Sequence, residues 1–130
     1  MPQFKLEIVT PDRAVLDEEV ESLVVPAYEG SLGVLANHAP LLSVIRPGEV
    51  TVTKSGNVRR FAIGFGFLEV GNNKAILLAD QIESIDAVKP DALAKQKEAT
   101  AAKIKAKEDV DKNKEELERL DQWARLARKR

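Results

Sequence analysis

The chain has 130 residues and a formal net charge of −1, with no cysteine, one histidine and one tryptophan. That length supports one modest core, or a small domain carrying an appendage, and the absence of thiols excludes a disulfide framework, Cys-ligated zinc and thiol chemistry while fitting a reducing compartment. His38 has no second histidine with which to share a metal, no apolar run approaches the roughly 20 residues of a bilayer span, and no basic-then-apolar signal pattern opens the chain, so a soluble, unsecreted protein is expected.

The near-neutral total hides an asymmetry. Met1 to Ala87 carry 7 Lys+Arg against 12 Asp+Glu, and Val88 to Arg130 carry 13 against 9. The basic second part does not have the footprint of a nucleic-acid binder, because its acids are interleaved with its bases and Trp123 alone could stack on a base.

Phe4, Leu6 and Ile8 alternate with Lys5, Glu7 and Val9, the period of a half-buried strand. Thr10-Pro11-Asp12-Arg13 turns the chain. Ala14 to Leu16 and Val20 to Pro26 read as strands, with Asp17-Glu18-Glu19 as a polar corner and Pro26 marking a strand end or edge. Gly30 to Leu42 reads as a loop built to present rather than to react, its glycines permitting positive φ or close approach. Leu41 to Ile45, Val50 to Thr53, Val58 to Ile63, Phe67 to Val70 and Ala75 to Leu78 follow as short strands between Pro47-Gly48, Lys54-Ser55-Gly56-Asn57 and Gly71-Asn72-Asn73. This spacing predicts an antiparallel β-sandwich or flattened barrel, with Phe61, Phe65 and Phe67 supplying much of its core. Gly64-Phe65-Gly66-Phe67 matches no nucleotide fingerprint, since strand rather than helix follows it; a bulge or close backbone contact is expected instead.

After Val88 the period changes. Pro90-Asp91 suits a first helical turn, and eight alanines with Lys, Glu, Leu and Arg follow without a glycine or further proline. The expected units are a β-domain over 1–87 and a helical hairpin over 88–130, with helices at about 90–107 and 112–128. Leu117, Leu120, Ala124 and Ala127, flanked by Trp123 and Leu126, form an apolar stripe on the second helix, with a weaker stripe of Leu93, alanines and Ile104 on the first. Glu108 to Asp111 is the expected break, with Asp111 as the cap. With no Gly or Pro to enforce it, the same residues could form a hairpin folded on the sandwich or a single rod. Trp123 is expected to pack within the hairpin, and Glu115–Arg119 and Asp121–Arg125 to pair at i, i+4.

Val9-Thr10-Pro11-Asp12-Arg13, then Gly30-x-Leu32-Gly33 with His38-Ala39-Pro40-Leu41, then Gly66-Phe67-Leu68-Glu69-Val70, occur in the order and spacing of one family. On these motifs the chain resembles the epsilon subunit of the F-type ATP synthase along essentially its full length. The resemblance implies a non-catalytic rotor component at the foot of the central stalk, between the gamma subunit and the c-ring. It implies helices that fold on the sandwich or extend among the alpha and beta subunits to restrain ATP hydrolysis. By the same resemblance Glu29, Gly30, Ser31, Leu32 and Gly33 face the c-ring, and His38, Ala39, Pro40 and Leu41 face gamma. Arg119, Arg125, Arg128, Lys129 and Arg130 would meet acidic surface on beta. It further implies a peripheral place on the cytoplasmic face of a bacterial membrane, or the stromal face of a thylakoid.

The sequence departs from the family at three places. Ala36-Asn37 stands where Pro-Gly is usual, Asn being the next most tolerant residue of a left-handed turn. Ser31 replaces an acidic or amide residue. Ile85-Asp86-Ala87-Val88-Lys89-Pro90 resembles a regulatory ATP motif of some members, with Lys89 for Arg and Pro90 for Ala; Lys lacks the bidentate phosphate fork. No cofactor is otherwise implied. Two rival readings are a free-standing nucleotide sensor using Ile85, Asp86 and Lys89, and an enzyme. The second lacks a nucleophile motif or a recognisable carboxylate constellation. His38 and the terminal bases also have plain alternatives, as a surface turn residue and as a solvated helix end complementing the helix dipole.

Overall fold

The computed structural model describes residues 2–105 and 110–128. In β1 (Phe4–Val9) the alternation is realised, with Phe4, Leu6 and Ile8 buried. The turn after it closes through Thr10, whose hydroxyl donates to Asp12 Oδ1 at 2.6 Å and whose N–H donates to the Arg13 carbonyl at 2.9 Å.

The expected corner at Asp17-Glu18-Glu19 does not exist: β2 (Ala14–Val20) runs straight through it. This strand pairs with β1 and is the last in its sheet, so its charges can remain in water, where they also discourage edge-to-edge association. Asp17 pairs with Lys5 at 2.8 Å. Glu18 shares the face of Leu16 and Val20 but lies at the open lip, where it meets Arg59 and Lys54. The chain bends at Glu21 instead, whose N–H donates to the Thr53 carbonyl at 2.8 Å.

The next strands are β3 (Ser22–Ala27), β4 (Gly30–Leu35), β5 (Leu41–Ile45) and β6 (Gly48–Lys54). Half of the expected presenting loop is therefore strand. Gly30 to Leu35 pair antiparallel with β3, and a two-residue tip of Tyr28 and Glu29 leads into Gly30 at φ +131°. Periodicity did not reveal β4 because its glycines and exposed leucine interrupt the alternation. The strands β7 (Asn57–Ile63), β8 (Gly66–Gly71), β9 (Lys74–Ala79) and β10 (Ile82–Ser84) complete the order β10-β7-β6-β3-β5-β8-β9-β1-β2, with β4 beside β3. The three-residue β10 was not anticipated. All pairings are antiparallel except β1 with β9.

The curl of this sheet is made by β3, which pairs with β6 over Ser22 to Val24 and with β5 at Ala27. Two leaves result, and their inner faces hold Phe4, Leu6, Ile8, Leu23, Val25, Ile45, Ile63, Leu68 and Leu77. The core is thus mainly aliphatic. Of the three phenylalanines expected there, Phe61 is buried, Phe65 is half-buried and Phe67 is 39% exposed. Register decides this: Leu68 and Val70 take the inward positions of β8, and Phe67 must point out. The hairpin turns carry positive φ at Ser55 and Gly56, and at Asn72 and Asn73, the backbone handedness that matches strand twist. At Gly66 an added Cβ would lie 2.2 Å from the Leu78 carbonyl oxygen, the close backbone contact expected there.

A 3₁₀ turn, Ile85–Ala87, leads to α1 (Pro90–Lys105) and α2 (Val110–Arg128). Pro90 begins its helix as expected. Asp111 lies inside the first turn of α2 rather than at its cap, so it faces the positive helix end. The helices pack on each other, and α2 lies against β6, β7 and the 3₁₀ turn. A second apolar cluster of Ala62, Ile85, Val88, Leu93, Leu120, Trp123, Leu126 and Ala127 joins them to the sheet. The expected break falls partly on residues 106–109, and the Ile104 side chain likewise lies outside the described residues.

Candidate functional site

The two candidate contact stretches stand at opposite ends of β5. Tyr28, Glu29, Gly30 and Ser31 form the exposed tip of the β3–β4 hairpin, followed by half-buried Leu32 and open Gly33. Tyr28 N–H donates to the Val44 carbonyl at 3.1 Å, which fixes the tip beside the end of β5. An open groove of about 460 Å³ runs between β4 and β5 beneath it. His38, Ala39, Pro40 and Leu41 precede the start of β5, about 13 Å away at the rise of a strand.

Around His38 the backbone is a tight turn. Asn37 has φ +62°, so the left-handed conformation is retained without glycine. Its N–H donates to Asn73 Oδ1 at 2.7 Å, while Asn73 Nδ2 donates to the Gln3 carbonyl at 3.0 Å. His38 Nδ1 donates to the Ala39 carbonyl at 2.7 Å, turning the ring back onto its own turn.

Sequence reasoning did not find the surface between these ends. Val44, Phe67 and Leu78 are directly opposite one another on β5, β8 and β9, and are 50%, 39% and 49% exposed. Leu42 extends the row at 65% exposure. Exposed apolar side chains in register across three strands make a contiguous patch, of the kind that marks a contact surface rather than scattered exposure. The signal was present in the strand parity of Leu68 and Val70, but recognising the row requires the pairing of strands distant in sequence.

The third set lies around the 3₁₀ turn Ile85–Ala87 that precedes α1. Ile85 is buried in the second apolar cluster. Lys89 lines an open cleft of about 800 Å³ between α1, β10 and the Thr10 turn, while Asp86 is exposed and does not line it. Among the described residues, no cluster of three His, Asp or Glu could hold a metal ion.

The basic residues of α2 separate sharply. Arg119 is buried, its side chain only 5% exposed, paired with Glu116 and set over the Trp123 ring with its Cζ 4.6 Å from the centroid. Arg125 is exposed. The Arg128 side chain, Lys129 and Arg130 lie outside the described residues. Neither expected i, i+4 pair forms: Asp121 meets Lys97 on α1, and Arg119 meets Glu116 one turn back. Trp123 is not confined to the hairpin. Its Nε1 donates to the Ile63 carbonyl at 2.8 Å, fastening α2 to β7. Nearby, burial holds the Asp80 carboxyl above the ordinary range, opposed by the Gln81 and Phe65 N–H groups and by Arg119. A Cβ at Gly64 would lie 2.4 Å from Asp80 Oδ1 and 3.0 Å from Arg119 Cδ, so the missing side chain makes room for this junction.

These features define a class: a curled β-sandwich followed by a folded helical pair, with an exposed apolar row on β5, β8 and β9. Residues 3–85 match the family described as ATP synthase, Delta/Epsilon chain, beta-sandwich domain. The chain is 37% identical to the ATP synthase epsilon chain of Desulfitobacterium hafniense, covering 95% of this chain and 93% of that one. It is 38% identical to the sodium ion specific ATP synthase epsilon chain of Propionigenium modestum, over 85% and 82% of the two chains. The chain belongs to the ATP synthase epsilon chain family, a non-catalytic one. Its fold is also that of a chain in the Euglena gracilis mitochondrial ATP synthase OSCP/F1/c-ring structure, with TM-score 0.80 at 22% identity, over all of this chain and 83% of that one. A second likeness is in the Tetrahymena thermophila mitochondrial ATP synthase central stalk and c-ring, with TM-score 0.60 at 18% identity, over 67% and 70% of the chains. Among the described residues, no helix is long and apolar enough to cross a membrane.

Proposed function

We propose that this chain is a central-stalk rotor subunit of a proton-translocating ATP synthase, peripheral to the membrane on its cytoplasmic face. The β-unit, residues 1–87, couples gamma to the c-ring; the helical unit, residues 88–130, restrains ATP hydrolysis. The observation that carries the reading is the exposed row Leu42, Val44, Phe67 and Leu78, which offers gamma an apolar face continuous with the His38 to Leu41 turn. The hairpin tip from Glu29 to Gly33, at the other end of β5, is then free to meet the c-ring. Both structural neighbours occur in assemblies described with a c-ring, which supports the same placement.

The inhibitory half of the reading is supported by how α2 is held. Arg119 is withdrawn from solvent in the folded hairpin. It becomes available to acidic surface on beta only if α2 leaves the sheet, whereas Arg125 is accessible in both arrangements. The burial of Ile85 gives an ATP site no comparable support. A pull-down tests the docking face directly. The full chain is expected to join a gamma-containing subcomplex, and Leu78→Asp is expected to lose that association while retaining its fold by circular dichroism. Failure of the unmodified chain to join would overturn the assignment.

A further inference from the structure

Arg46 lies at the corner between β5 and β6, and its guanidinium reaches two separate parts of the molecule. Its Cζ is 5.2 Å from the centroid of Tyr28 at the β3–β4 hairpin tip. Its Nη2 donates to Glu118 Oε1 on α2 at 2.8 Å, across 72 residues of chain. The backbone holds the residue in place, since Arg46 N–H donates to the Pro26 carbonyl at 2.9 Å. Arg46 thus bridges an exposed tip and the helix lying over the sheet.

We infer that Arg46 is a coupling residue, through which the position of the Tyr28 ring sets how firmly α2 is held on the β-unit. The physical basis is that one planar cation serves two partners. Aromatic faces and carboxylates both draw a guanidinium, and its position is a compromise between them. Moving or covering Tyr28 therefore shifts the guanidinium relative to Glu118. The functional consequence rests on the reading above: a partner seated on the hairpin tip alters the release of the helices. The bridge itself is a property of the isolated chain.

Amide exchange of the full chain, without any partner, tests the bridge, with the core strands as an internal reference. A half-exposed ion pair contributes modestly, so Glu118→Gln is expected to speed exchange across the docked turns of α2 about two- to fivefold through local opening. Tyr28→Ala is expected to change α2 exchange by about twofold, although it belongs to the β3–β4 hairpin and not to that helix, and to have no effect on α2 once Arg46→Ala is present. Exchanging the charges, Arg46→Glu with Glu118→Arg, should restore α2 protection while removing its sensitivity to Tyr28. An unchanged α2 in Tyr28→Ala, or a Tyr28 effect that persists in Arg46→Ala, would overturn the inference. Because no partner subunit is present, failure of the rotor assignment in pull-down leaves this result standing, and the reverse also holds.

Discussion

Asn73 ties together three segments that are separate in sequence. It has φ +57°, accepts from Asn37 N–H through its side chain, and donates to the Gln3 carbonyl. Lys5 N–H also donates to its main-chain carbonyl at 3.2 Å. Asn73→Gly keeps the left-handed backbone and loses the side-chain bonds, for an expected cost of about 1–2 kcal/mol. Asn73→Ala adds roughly 1 kcal/mol for an alanine in that conformation. Urea unfolding of the two variants checks both the sizes and their order. Asp80 provides a pH test. Burial is the first cause of its raised pKa, so the folded chain takes up a proton more readily than the unfolded one. Its contribution to stability is fully present below the unfolded value near 3.8 and is lost as pH rises through the higher folded value. Glu116 and Arg119 on α2 face the same junction, the first raising and the second lowering that pKa. Asp80→Asn is therefore expected to melt higher than the unmodified chain at pH 7, with the difference vanishing below about pH 4. Thermal melts of both chains across that range decide it.

At the scale of elements, α2 is the most informative. Its apolar stripe was legible at helical spacing, and Leu120, Trp123, Leu126 and Ala127 are indeed buried. What the stripe would meet was not legible, because Ala62 and Ile63 belong to a strand some sixty residues earlier. Trp123→Phe retains most of the ring but leaves the Ile63 carbonyl without its Nε1 donor. The expected cost is about 1–3 kcal/mol of α2 docking, read as faster amide exchange in α2 with the β1 and β9 amides unchanged. Strand β4 illustrates the opposite case. Its glycines resemble loop residues, yet pairing with β3 makes a hairpin, because backbone hydrogen bonding across the pair does not require alternating side chains.

For the whole molecule, the last strand ends at Ser84 and α1 begins at Pro90, on either side of the composition change near Val88; one apolar cluster lies within the strands and the second joins the helices to the sheet. Removal of Lys89 to Arg130 is expected to leave the β-core folded, since the first cluster draws all its residues from the strands. In the proposed role it also raises the ATP hydrolysis of the parent complex; circular dichroism and a steady-state ATPase assay check the two halves separately. Unchanged hydrolysis would mean that the helices do not inhibit.

Local order along the chain was sufficient for most of the strands, though not for β4, β10 or the full length of β2, and for the turn residues, the start of α1 at Pro90 and the family, because period, φ preference and motif spacing can be read along the chain. Only the tertiary structure decided that Phe67 points outward, that Glu18 closes the lip with Arg59, that Arg119 is buried, and that Trp123 fastens α2 to β7. These outcomes depend on strand register and on partners 41 and 60 residues apart in the second and last cases, respectively. A side chain's face is set by which strand or helix comes to lie beside it, and no local pattern contains that pairing.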